Sequence, residues 1–172
     1  MQAAVYGHMD VVRFLSDLTD PNLTEMLEDG CQYGNPEIVQ YLFSERNATI
    51  QMIGKFACRE GHSPIVELLL SMGADVHHND DAALSDAITG GHLEIVKMLV
   101  QHGATIKDEA LSTAIWKDDL VMVQYLVQNG ADINGSTSHG GNMLCLAGSF
   151  KRTEIRSYLK SKGAYYRGPP GP

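Results

Sequence analysis

The strongest constraint on this chain is that it repeats itself. "AAVYGHMDVVRFL" from Ala3 returns as "GCQYGNPEIVQYL" from Gly30, "ACREGHSPIVELL" from Ala57 and "AITGGHLEIVKML" from Ala87. "AIWKDDLVMVQYL" from Ala114 and "AGSFKRTEIRSYL" from Ala147 follow the same plan. The equivalent anchors are Gly7, Gly34, Gly61, Gly91, Asp118 and Lys151, spaced 27, 27, 30, 27 and 33 residues apart. A period in this range marks a stack of small supersecondary units, each dependent on its neighbours for a core.

Within a unit the pattern predicts two helices. In the copy at Gly91, Leu93, Val96, Leu99 and Val100 recur at helical spacing, with Ile95 and Met98 beside them. The apolar surface is too wide for one stripe, so this helix must be covered on two sides. Glu94 and Lys97 mark its solvent side. Glycine closes the run in "MGAD" (Gly73), "HGAT" (Gly103), "NGAD" (Gly130) and "KGAY" (Gly163), the residue that takes the left-handed C′ conformation without a Cβ penalty. The anchor glycine predicts the same stop for the first helix. Thr24, Asp80 or Asp81, and Asp108 stand where N-caps of first helices are expected. Ala57, Ala87, Ala114 and Ala147 are small enough to let first helices lie close together.

This pattern resembles the ankyrin-repeat family. The family's "GHLEIVKLLLxxGAD" is nearly verbatim at 91–105 and clear at 61–75 and 120–132. The resemblance implies an all-α, ankyrin-type solenoid of about six helix-turn-helix units. The units are placed near 1–22, 23–49, 50–78, 79–107, 108–135 and 136–164, followed by a Gly/Pro-rich tail at 165–172. The family's hairpin and "TPLH" signature are recognisable only at "GGNMLCLA", 140–147, where Asn, Met and Cys replace Thr, Pro and His. The other units are shorter at that point, so their hairpins are expected to be reduced to short loops. Short-looped units of this kind are similar to the ankyrin arrays of large DNA viruses of amoebae, which would make a host protein the target.

The resemblance further implies binding of another protein through a concave face lined by first helices and loop tips. The two positions before each anchor vary on a constant frame. Tyr6, Gln32, Tyr33, Arg59, Glu60, Thr89, Trp116, Lys117 and Phe150 are therefore candidate contacts, because exposed aromatic and arginine side chains dominate interface energetics. For Trp116 an equal alternative is that it covers neighbouring helices. His77, Asp81, Lys107, Asp108 and Glu109 in the loops are candidate rim contacts. A structural spacer or self-association element is the rival reading.

Catalysis has little to stand on. His8, His62 and His92 follow the anchor in copy after copy, whereas a catalytic group is needed once. Reuse points to bonding with the backbone of a neighbouring turn, and Asn35 and Asp119 replace them with hydrogen-bonding types. A metal-dependent hydrolase built on His77, His78 and the acids of 75–81 is the remaining enzymatic reading, but adjacent histidines need not converge on one ion. No GxSxG, HExxH or GxxxxGK[ST] is present, and no metal or cofactor is expected. The net charge of −8 argues against nucleic acid. No apolar run is long enough to span a membrane. Cys31, Cys58 and Cys145, an odd number without CxxC spacing, predict reduced thiols in the cytoplasm or nucleus. The basic last helix, "KRTEIRSYLKSKGA", reads as a polar cap, whereas "MQAAVYGH" begins inside a first helix. That start predicts a fragment of a longer array, or a monomer with weak homo-association through its uncapped first unit.

Overall fold

The computed structural model describes residues 2–17, 23–46, 54–137 and 141–166. Among them are twelve helical segments, and no strand forms. They are α1 (Gln2–Val5), α2 (Met9–Ser16), α3 (Leu23–Gln32), α4 (Pro36–Arg46), a π-helical segment (Gly54–Cys58), α5 (Ser63–Ser71), α6 (His78–Gly90), α7 (Leu93–Gln101), α8 (Asp108–Trp116), α9 (Leu120–Gln128), α10 (Met143–Ser149) and α11 (Thr153–Ser161). They divide into two compact units, Met1–Ala104 and Thr105–Pro172. In the first unit α1, α3, the π-helical segment and α6 pack side by side, and α2, α4, α5 and α7 do the same. In the second, α8 lies against α10 and α9 against α11. This is the all-α arrangement of stacked ankyrin-type pairs.

Each pair folds for the same local reason. The first helix ends at the anchor, which takes positive φ: 74° at Gly7, 75° at Gly34, 87° at Gly61 and 82° at Gly91. The following N–H then reaches back five residues, from His8 to the Ala3 carbonyl, Asn35 to Gly30, His62 to Ala57 and His92 to Ala87, all within 2.9–3.0 Å. That bond satisfies a carbonyl left without an intrahelical partner. Asp118 and Lys151 hold the same conformation, with φ of 62° and 57°, and Asp119 and Arg152 make the same bond. These two L residues carry backbone strain that glycine does not. The accepting residue, Ala3, Gly30, Ala57, Ala87, Ala114 or Ala147, is buried in every copy.

Second helices are eight to eleven residues long, below the length at which an isolated helix is stable in water. Burial makes up the difference. Ile38, Val39 and Leu42 are at most 1 % exposed, as are Ile65, Val66 and Leu69, Ile95, Val96 and Leu99, and Met122, Val123 and Leu126. Each such side chain contributes about 2 kcal/mol relative to exposure. In α11 the trio loses its middle member to Arg156, which lies over the Tyr166 ring at 5.6 Å. Glu94 and Lys97, expected on the solvent side of α7, pair there at 2.7 Å.

The starts of first helices differ from expectation. Thr24 is the second residue of α3 and Asp108 the first of α8, so neither stands outside its helix as an N-cap. An acid in the first turn is favoured by the helix dipole anyway, which makes it hard to tell from a cap by residue type. Asp81 lies inside α6, where Asn79 and Asp81 take positive φ, 52° and 61°. The side-chain caps are instead Asp119, which accepts from the Met122 N–H at 2.9 Å, and Asn142, which accepts from the Cys145 N–H at 3.1 Å. The hairpin expected before the last unit is present as an antiparallel bridge between Ser136 and Asn142. The third unit's first helix is the short π-helical segment, with Ala57 and Cys58 fully buried. The tail beyond Tyr166 lies outside the described residues.

Two substitutions separate frame from filler. Lys151→Gly removes left-handed strain and is expected to raise stability by about 0.5–1 kcal/mol. Gly61→Ala is expected to cost roughly 1–3 kcal/mol, because φ is 87° and the new Cβ would lie 2.5 Å from the His92 ring. Urea unfolding of both variants beside wild type measures the pair.

Candidate binding surface

In four of the six copies the residue after the anchor ties its unit to the one before. Asn35 Nδ2 donates to the Ala4 carbonyl at 2.7 Å, and His62 Nε2 to the Gln32 carbonyl at 2.8 Å. His92 Nε2 donates to Arg59 O at 2.9 Å, and Arg152 Nη2 to Trp116 O at 2.8 Å. The acceptors are last-turn carbonyls of first helices, which have no intrahelical partner. His62 and His92 thus carry one proton each in a fixed structural bond. His8 instead lies beside the Tyr6 ring, with centroids 6.3 Å apart. Asp119 has no proton to donate when ionised and caps its own helix.

This fixed frame displays the two residues before each anchor. Tyr6, Tyr33, Trp116 and Phe150 are 67, 50, 59 and 43 % exposed, far above what a core aromatic shows. Arg59, Glu60 and Lys117 are exposed as well, and Gln32 and Thr89 half-buried. Trp116 is thus more than half exposed at the end of α8. Gly90, at the same place in the fourth copy, is not free to vary: a Cβ there would collide with the Arg59 carbonyl and the His92 ring.

The structure brings Trp116 and Phe150 to one groove of about 530 Å³. Ser112, Thr113 and Trp116 of α8, Leu146 and Ser149 of α10, Phe150, and Thr137 of the hairpin line it. Thr137 is held there by two bonds to the Gly141 carbonyl, from its N–H at 2.7 Å and its Oγ1 at 3.0 Å. Behind the groove Arg152 Nη2 bonds the Trp116 backbone carbonyl, and its Nη1 pairs with Asp118 at 3.2 Å. Sequence reasoning missed Ser112, Thr113, Leu146 and Thr137. The first three were within reach: they stand three or four residues before Trp116 or Phe150 and so share a helix face with them.

The loop candidates separate. Asp81 is corrected: it is 8 % exposed, with its carboxylate on His77 Nδ1 at 2.9 Å, and offers no rim contact. His77 is exposed, and its N–H is held by Asp75 at 2.9 Å. Lys107 and Asp108 are half-buried, Asp108 with its carboxylate against Gly135; Glu109 is exposed. Among the described residues no three His, Cys, Asp or Glu side chains are placed to hold a metal ion, and no helix is long and apolar enough to cross a membrane.

Residues 27–110 match the family model for ankyrin repeats (3 copies). This segment is an ankyrin-repeat segment. Such repeats typically bind other proteins and are not typically enzymes. The units anchored at Asp118 and Lys151, beyond the matched residues, repeat the ankyrin segment's turn and its hydrogen bonds. The chain matches no curated protein.

The cysteines are free thiols, Cys31 and Cys58 buried and Cys145 partly exposed. Burial, with Glu28 near Cys31 and Asp86 near Cys58 adding to it, pushes both buried thiols up to about 12 from 9.0. The folded state therefore keeps protons that the unfolded chain releases above pH 9. Stability is full below pH 9 and falls as pH rises toward 12, on the order of 1 kcal/mol per thiol per pH unit. A Cys31→Ala/Cys58→Ala variant is expected to show a flatter stability profile over pH 9–11 than wild type, read by urea unfolding at each pH.

Proposed function

We propose that the protein works without catalysis, by binding a partner protein through the first-helix face of its ankyrin-type pairs, as a scaffold, adaptor or inhibitor. The observation that carries this is Trp116: a tryptophan 59 % exposed, its backbone carbonyl bonded by Arg152, lining one groove together with Phe150. A tryptophan has few rotatable bonds, so it presents a large apolar surface at little entropy cost on binding, which is what an energetic anchor requires. Three free cysteines support a reducing compartment, cytoplasmic or nuclear. If the chain is viral, the partner is a host protein.

Self-association is a second reading, favoured by one observation. Helix α2 exposes Phe14 at 68 % and Val11 at 40 %. Sedimentation over a range of concentrations, with Phe14→Ser beside wild type, separates it from binding at the groove.

Trp116→Ala is expected to weaken partner capture by roughly 2 kcal/mol, about thirtyfold, with the thermal unfolding curve unchanged. The measurement is quantitative pull-down of wild type and variant from the same extract, followed by titration of the recovered partner. Equal affinity of the two proteins removes Trp116 from the surface.

A further inference from the structure

Charge is divided unevenly along the chain. Residues 1–104 carry 5 Lys and Arg against 15 Asp and Glu, a net −10; residues 105–172 carry 8 against 6, a net +2. The groove between α8 and α10 lies wholly in the second stretch, and every side chain lining it is uncharged. Cations follow its two aromatics directly: Lys117 after Trp116 and Lys151 after Phe150, both exposed. Asp118, the acid next to them, is offset by Arg152 at 3.2 Å. The acids of α8, Asp108 and Glu109, stand at the helix's opposite end, about 12 Å from Lys117 along the axis at 1.5 Å per residue. The groove is therefore polar in direction, with an apolar floor and cations at the end where the two aromatics stand.

Resting on the reading of this groove as the binding surface, we infer that it takes a short peptide segment carrying an aromatic or aliphatic anchor flanked by acidic residues. The anchor enters between Trp116 and Phe150, where its apolar surface leaves water. The flanking carboxylates meet Lys117 and Lys151 at the rim, which stays wet. Charges placed there keep most of their hydration, so they add selectivity without the desolvation cost of a buried pair. The chain's net charge of −8 disfavours a polyphosphate ligand. A peptide with a few carboxylates and one apolar anchor meets the lysines locally at lower charge.

The test uses the full chain and four labelled probes in fluorescence anisotropy. Three are 12-residue peptides with a central Phe-Leu pair flanked by Glu, by Ser or by Lys; the fourth is a uridine 12-mer. The Glu-flanked peptide is expected to bind about tenfold tighter than the Ser-flanked one, with the Lys-flanked one weakest and the preference shrinking in high salt. Trp116→Ala is expected to weaken all three by about tenfold or more. Lys117→Glu/Lys151→Glu is expected to invert the order. Equal binding of the three peptides, binding of none, or tighter binding of the uridine 12-mer overturns the inference. So does Trp116-dependent self-association in sedimentation, which would make a second copy the occupant. If the charge order fails while Trp116→Ala still weakens binding, the groove remains a binding surface and only its acidic preference is lost. If peptides bind and Trp116→Ala has no effect, the binding reading falls as well.

Discussion

One hydrogen bond organises the structure around it: in four of the six copies, the side chain after the anchor donates to a last-turn carbonyl of the preceding first helix. A helix end leaves carbonyls without partners, and burying them unpaired is costly. A short helix pair cannot solve this alone. The next pair solves it with whichever donor is in place, Asn35, His62, His92 or Arg152. Each bond contributes only about 1 kcal/mol net, less than the apolar burial of one second helix. Its value lies in direction. Apolar burial holds the pairs together without setting their register, whereas a bond to one carbonyl sets it to a single residue.

The anchor turn and this bond depend on each other. His62 and His92 lie so close over Gly34 and Gly61 that a Cβ on either glycine would meet the ring. Where the anchor is Asp118, with a side chain of its own, the tie comes from a longer residue. Arg152 reaches past the turn to the Trp116 carbonyl and pairs with the Asp118 carboxylate on the way. The strained L residue at the anchor and the arginine over it are one solution in two parts. That solution fixes the end of α8, and so the tryptophan at it. The device that joins two repeats thus bonds the backbone of the exposed Trp116.

What could be read from the sequence follows the same division. The six anchors were legible because a positive φ selects glycine so strongly that even Asp118 and Lys151 betrayed themselves by spacing. The buried trios of the second helices were legible because helical period and burial both demand them. Thr24 and Asp108 were misplaced by about one residue, since the first turn and the cap accept the same residue types. Asp81 was misread because its burial depends on a backbone conformation at Asn79 and Asp81 that neither residue type requires. Trp116 could not be settled either way. An aromatic serves a core and an interface equally well, and only its exposure tells them apart.

The hairpin joins frame to surface. The last spacing, 33 residues, exceeds the others, and the added chain forms the Ser136–Asn142 bridge. Asn142 is held from both sides: it caps α10 through its oxygen and donates through Nδ2 to the Tyr165 carbonyl. Tyr165's N–H in turn bonds Asn134 at 3.2 Å. The loop that sets Thr137 against the groove is thus fastened to the helix below it and to the residues after α11. Were the loop shortened to the length seen in the other copies, α8 and α10 could still pack, because Ala114 and Ala147 are buried independently of it. The groove would lose the wall that Thr137 supplies. Among the described residues, the extra length buries and fixes Asn142 and sets Thr137 at a recess beside two exposed aromatics.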